Sequence, residues 1–176
     1  MPRRPRPTEA GVYHVGVSAP GGLPLFRNAD NYIEFVTLLG STVECEPVSC
    51  LAFCLMTTHY HLILNVEDNA LAPAMKRLNW HYARSVNARI GGRGHVVGGR
   101  YFSTPVSDTD HLLTAFKYVV RNPVEAGICR APEDWQWSSY PGTIGLTPGF
   151  RFVDASLITG SVVGGADWLR RFVDGV

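Results

Sequence analysis

Two β-prone runs, VSCLAFCLM (48–56) and HYHLILNV (59–66), are divided only by Thr57-Thr58. Two strands joined by two residues read as a β-hairpin, although Thr-Thr is not the usual turn pair. The side-chain period of a strand is two, so His59, His61, Ile63 and Asn65 share one face. Tyr60, Leu62, Leu64 and Val66 share the other, and that more apolar face is the one that must pack on helices. The register therefore stands two imidazoles side by side, away from the apolar layer and close enough to bind one metal ion. A pair of polar-face histidines without a ligand is the alternative that these two residues alone leave open.

Working outward, GVYHVGVSA (11–19) alternates as a strand and carries His14. Asp30 to Leu39 has helical spacing, with Asn28 or Asp30 as its N-cap. Asn69 to Ile90 is helical, with Leu71, Met75, Leu78, Tyr82 and Val86 at intervals of three to four. Pro73 fits its first turn and Gly91, Gly92 and Gly94 end it. Val96 to Val106 is strand-like, interrupted by Gly98 and Gly99. Asp108 or Asp110 caps a helix that runs to Asn122, where Pro123 stops it. Trp135, Trp137 and Tyr140 close the bottom of the core, residues 141–165 have little pattern, and Ala166 to Val173 forms a short terminal helix. The order strand, helix, strand, strand, helix, strand, helix predicts an α+β domain, a ferredoxin-like antiparallel sheet flanked by helices. In that topology the first strand lies beside the third, which brings His14 toward the His59 strand. The chain divides into a basic tail (1–9), the main domain (10–140) and a C-terminal extension (141–176) packed on it.

The 176 residues are 45% hydrophobic and 18% charged, which excludes a wholly disordered or collagen-like chain. No apolar stretch approaches the roughly 18 residues of a membrane span, and no signal peptide is visible, so a soluble cytoplasmic protein is expected. Net charge is only +1, but it is unevenly spread. Residues 69–107 hold six basic side chains (Lys76, Arg77, Arg84, Arg89, Arg93, Arg100) and no acidic one. Such a segment is a candidate anion-binding face, and Arg3, Arg4 and Arg6 of the tail add to it. Of the four cysteines, none forms a C-x-x-C pair, and Cys50 and Cys54 read as small buried hydrophobes.

The helix 110–122 carries the second chemical signal. Leu112, Ala115, Phe116, Val119 and Val120 form its core stripe. Tyr118 lies off the centre of that stripe, Asn122 shares its face one turn on, and Lys117 and Arg121 flank them. A phenol beside cations or a metal is a nucleophile for phosphorus; an ordinary tyrosine at the core edge is the plain alternative. Together with the histidine pair the signal sharpens: two imidazoles and the Asn122 amide oxygen would hold Mg²⁺ or Mn²⁺ against a phosphodiester while Tyr118 attacks.

Five motifs occur in one order: FCLMTTHYHL (53–62), NWHYA (79–83) with Asn87, GRYF (99–102), YVVRNPVEAG (118–127) and WSSY (137–140). In these the chain resembles the single-tyrosine HUH transposases of the insertion-sequence 200-like group, closest to the REP-associated tyrosine transposases. The resemblance spans roughly residues 8–140. It implies that His59 and His61 bind a divalent metal, that Asn122 completes the site, and that Tyr118 is the nucleophile. It implies cleavage of single-stranded DNA near hairpins through a 5′-phosphotyrosine, followed by strand rejoining without an external energy source. One departure is Thr57-Thr58, where the family usually has Pro-Asn before the first histidine.

For DNA contact the candidates are Arg3, Arg4, Arg6, His14, Lys76, Arg77, Arg84, Arg100, Lys117 and Arg121. His81 and Tyr82 could line the path, although Tyr82 reads better as helix core. The alternative function is a non-catalytic hairpin- or sequence-specific DNA-binding protein on the same fold. A replication-initiator or relaxase-type nuclease and a small-molecule metal enzyme are further rivals. Whether the tyrosine acts within one chain or is exchanged in a homodimer is not written in the sequence.

Overall fold

The computed structural model describes residues 7–91 and 96–175. Arg3, Arg4, Arg6, Gly92, Arg93 and Gly94 lie outside the described residues. The order of elements is β1 (Gly11–Ser18), α1 (Ala29–Cys45), β2 (Val48–Leu55), β3 (His59–Val66), α2 (Leu71–Ile90), β4 (Phe102–Pro105) and α3 (Thr109–Glu125). The short helices α4 (Tyr140–Thr143), α5 (Ser156–Thr159) and α6 (Gly165–Asp174) follow. The four strands form one antiparallel sheet in the order β2-β3-β1-β4, the expected ferredoxin-like arrangement.

The hairpin forms as the alternation requires, with Leu55 paired to Tyr60 and Met56 N–H donating to His59 O at 2.8 Å. Its Thr-Thr turn is held from outside the hairpin. The Thr57 carbonyl accepts from the N–H groups of Leu25 and Phe26, and the Thr58 carbonyl accepts from Ala19 N–H.

The sheet separates two apolar layers. On one face Tyr60, Leu62, Leu64 and Val66 pack with Tyr13, Val15 and Val17 of β1 and with Phe35, Leu39, Leu78, Tyr82 and Val86 of α1 and α2. Tyr82 is fully buried, and its hydroxyl donates to Leu25 O at 2.7 Å, so it is core. On the other face Leu51, Cys54, Met56 and Ile63 pack with Leu112, Phe116, Val119 and Val120 of α3 and with Leu169 and Val173 of α6. Cys50 and Cys54 are buried free thiols, and burial pushes the Cys50 thiol up to about 12.

Three boundaries depart from expectation. Helix α1 continues past Leu39 to Cys45, because Gly40 is where the Phe152 ring lies against the helix, not where the helix stops. Strand β4 covers only Phe102–Pro105 of the run 96–106. Gly98 donates its N–H to Ser18 O at 3.0 Å, and a Cβ there would fall 2.2 Å from that oxygen. The segment before Tyr101 therefore crosses the end of β1 instead of running beside it.

Helix α3 passes through Pro123 and ends at Glu125. Proline removes one N–H, and the Asn122 side-chain NH₂ donates to the freed turn instead, to Tyr118 O at 2.7 Å and Val119 O at 3.5 Å. The stop comes from Gly127, with φ +69°, where Ile128 N–H donates to Pro123 O and Gly127 N–H to Val124 O. That pair of bonds is a Schellman cap.

Candidate active site

β1, β3, β4 and α3 meet where the two histidines of β3 stand. In the sheet Gly16 lies between His61 and Phe102, while His14 is paired with Ile63. With no side chain at Gly16, the Phe102 ring lies over the backbone; a Cβ there would come within 2.2 Å of it. Phe102 thereby reaches both His14, at 5.1 Å between ring centroids, and His61, at 5.9 Å.

The imidazoles are fixed by their neighbours. His14 Nε2 and His61 Nδ1 share a hydrogen bond of 3.0 Å. His59 Nδ1 lies 3.1 Å from Thr58 Oγ1. Both strand histidines therefore have Nδ1 engaged, which is the arrangement that leaves Nε2 to a ligand. Asn122 is a hydrogen-bond partner of His59 and favours its protonated form, but burial has the larger effect and lowers its pKa. Since the Asn122 NH₂ is held by the helix backbone, its amide oxygen is the atom presented to His59.

Helix α3 brings Tyr118 over this cluster. Its ring centroid is 5.6 Å from His14 and 5.4 Å from His61, in edge-to-face contact with both. Tyr118 is nonetheless 55% exposed, so its hydroxyl-bearing side chain can be reached from solvent. Burial and the facing imidazoles His14 and His59 lower the His61 pKa to about 3, and burial and His111 lower that of His14. At neutral pH these three imidazoles are uncharged, the state in which a ring nitrogen outside the His14–His61 bond can accept a ligand.

Among the described residues no three His, Cys, Asp or Glu side chains gather at metal-binding distance. A cation here would rest on His59, His61 and the amide of Asn122, and would take its remaining ligands from water and phosphate. Two neutral imidazoles and one amide oxygen form a mixed set that suits Mn²⁺ by softness and admits Mg²⁺. The residues present fit such an ion.

The other expected residues are dispersed. Lys117 Nζ donates to Phe172 O at 2.6 Å and sits 5.0 Å from the Phe172 ring. Arg121 donates to Val173 O at 3.0 Å and to Glu125 at 3.1 Å. These two cations secure the C-terminal carbonyls of α6. Lys76 and Arg100 line a separate groove, and Arg84 stacks on Trp80 at 5.2 Å. Arg77 is only partly exposed on α2.

Sequence reasoning assigned no role to Phe102, Thr58 or His111. His111 precedes Tyr118 by seven residues and Asn122 by eleven, a helical spacing that could have put all three on one face. The Gly16–Phe102 contact has no sequence signal, because it depends on strand register.

The fold and site define an α+β sandwich whose central strand presents a His-x-His pair to a tyrosine-bearing helix. The comparisons agree with the resemblance seen in the motifs. A Haemophilus influenzae protein described as "Putative REP-associated tyrosine transposase" is 23% identical over 118 residues, covering 61% of this chain and 67% of that protein. The solved structure of a REP-associated tyrosine transposase bound to a REP hairpin superposes with a TM-score of 0.72 at 13% identity, covering 94% of this chain and 96% of that one. In sequence and in fold the chain resembles the REP-associated tyrosine transposases. No family model matches the chain.

Proposed function

We propose that this protein is a metal-dependent endonuclease and strand transferase for single-stranded DNA flanking a hairpin. One observation carries the reading. The exposed Tyr118 lies against both His14 and His61, while Asn122, one turn along, reaches His59. Supporting it, the similar solved protein is bound to a DNA hairpin.

In this reading His59, His61 and Asn122 hold Mg²⁺ or Mn²⁺. When bound, that ion polarises the scissile phosphate and offsets its charge. His14 and Thr58 act as positioning residues, holding the ring orientations of His61 and His59. The Tyr118 oxygen attacks phosphorus and the bond to the 3′ oxygen breaks, leaving a 5′-phosphotyrosine and a free 3′-OH. The phenol proton leaves to the solvent that reaches the exposed Tyr118, and the departing 3′ oxygen takes up a proton. Attack by a 3′-OH on the phosphotyrosine runs the same exchange in reverse and rejoins strands. Each step trades one phosphodiester for another, so no nucleotide cofactor is required.

The test is incubation with hairpin DNA from the flanks of the gene, with Mn²⁺, Mg²⁺ or EDTA, read on a denaturing gel. The expected result is a covalent protein–DNA band that requires metal and is absent from Tyr118→Phe. Tight hairpin binding with no adduct under any metal would replace this proposal with the non-catalytic one.

A further inference from the structure

The largest unexplained apolar side chain on the surface is Trp80, 52% exposed on α2. It lies outside the buried stripe Leu71, Met75, Leu78, Tyr82 and Val86, so the fold gives no reason for an indole there. Trp80 lines an open groove of about 520 Å³ between α2 and residues 97–101, together with Lys76, Asn79, Arg100 and Tyr101. The Arg84 guanidinium sits 5.2 Å from the indole, and Arg89, further along α2, is paired with Glu34 at 2.7 Å. Asn79 Oδ1 accepts from the Tyr60 hydroxyl at 2.7 Å, so the part of its amide left for a ligand is the NH₂ donor.

The groove adjoins the site already described. Tyr101 belongs to the α1–α2 layer, whereas its neighbour Phe102 lies against His14 on the opposite face. β4 is an edge strand, and Phe102 is itself 45% exposed. A chain leaving the Tyr118 centre would therefore cross Phe102 and round the open sheet edge into the Trp80 groove. An exposed indole, flanking cations and an amide donor, in a segment without a single carboxylate, suit a nucleobase and its phosphates.

We propose that the Trp80 groove is a stacking subsite for an unpaired nucleotide of the DNA strand, with Lys76 and Arg100 on its phosphates and Asn79 on the base edge. This rests on the DNA reading above, and its test separates the two. Anisotropy titrations would compare a blunt hairpin with the same hairpin carrying a single-stranded tail. Wild type should bind the tailed form more tightly. Trp80→Ala should lose about tenfold on the tailed form, the order expected for one stacked base, with no change on the blunt form. Trp80→Phe should retain most of the affinity, and thermal melting of both variants should match wild type. Equal affinity of Trp80→Ala and wild type for tailed DNA would overturn the subsite while leaving the active-site proposal intact. Equal loss on both forms would assign the groove to the duplex instead. Wild type binding neither DNA would remove both proposals. Competition by an acidic peptide as strong as by an oligonucleotide of equal charge would replace the nucleotide with a protein partner.

Discussion

The two faces of β3 are built from alternate residues of one eight-residue strand, yet they differ in kind. Tyr60, Leu62 and Leu64 enter a closed layer in which the Tyr60 hydroxyl has its partner in Asn79. His59 and His61 face an incomplete layer. Helix α3 covers Ile63 but, toward the histidines, presents Tyr118 and Asn122 rather than its apolar stripe. One face is finished by packing. The other is finished up to a polar corner that the fold orients but does not seal. On the proposed function one sheet is rigid on one face and reactive on the other, because the period of two assigns packing and chemistry to different side chains.

The apolar face carries the largest loss. Tyr60→Ala should cost about 3–5 kcal/mol, the range for a buried aromatic, measured by urea unfolding. His61→Ala should leave a folded protein and abolish metal-dependent DNA cleavage. Of the two faces of β3, the polar one is the one that answers to acid. Burial holds His14, His59 and His61 below their ordinary value of 6.5, so the unfolded chain binds protons there that the folded chain does not. Stability should fall as pH drops below about 6.5 and continue falling toward the His61 value of about 3. His61→Asn should flatten that slope in a series of melts across pH.

Smaller effects sharpen the contrast. Gly16→Ala should cost about 1 kcal/mol, the low end for overpacking, because the half-exposed Phe102 ring can swing outward. It should slow DNA cleavage more than it lowers the melting temperature, and Phe102→Ala in the same chain should recover stability. Lys117→Met should lose about 0.3–1 kcal/mol as the end of α6 loses a cation, with cleavage rate per folded molecule unchanged.

How much of this was legible in the chain follows from the range of each interaction. The hairpin, the face occupied by His59 and His61 and the shared face of Tyr118 and Asn122 follow from periods of two and 3.6, which are local; the pairing of β1 with β3 follows from the ferredoxin-like order of the elements. The roles of Lys117 and Arg121 were not legible, because their partners Phe172 and Val173 lie some fifty residues away on a helix whose docking no local pattern announces. The end of α3 lies beyond Pro123 because Asn122 compensates the missing donor and Gly127 supplies the cap. Strand β4 is short because Gly98 is pinned to Ser18 across the end of β1. Trp80 is two residues before the buried Tyr82, and no local pattern distinguishes an indole that faces solvent from one that packs.

On the proposed function the tyrosine of α3 and the histidines of β3 form one reaction centre. Its most direct test is mass-spectrometric mapping of the covalent adduct formed with cleavable hairpin DNA and Mn²⁺. The expected result is a nucleotide-modified α3 peptide with the modification on Tyr118, lost on His61→Ala although that variant still melts cooperatively. An adduct on any other residue, or one formed equally well by His61→Ala, would contradict it.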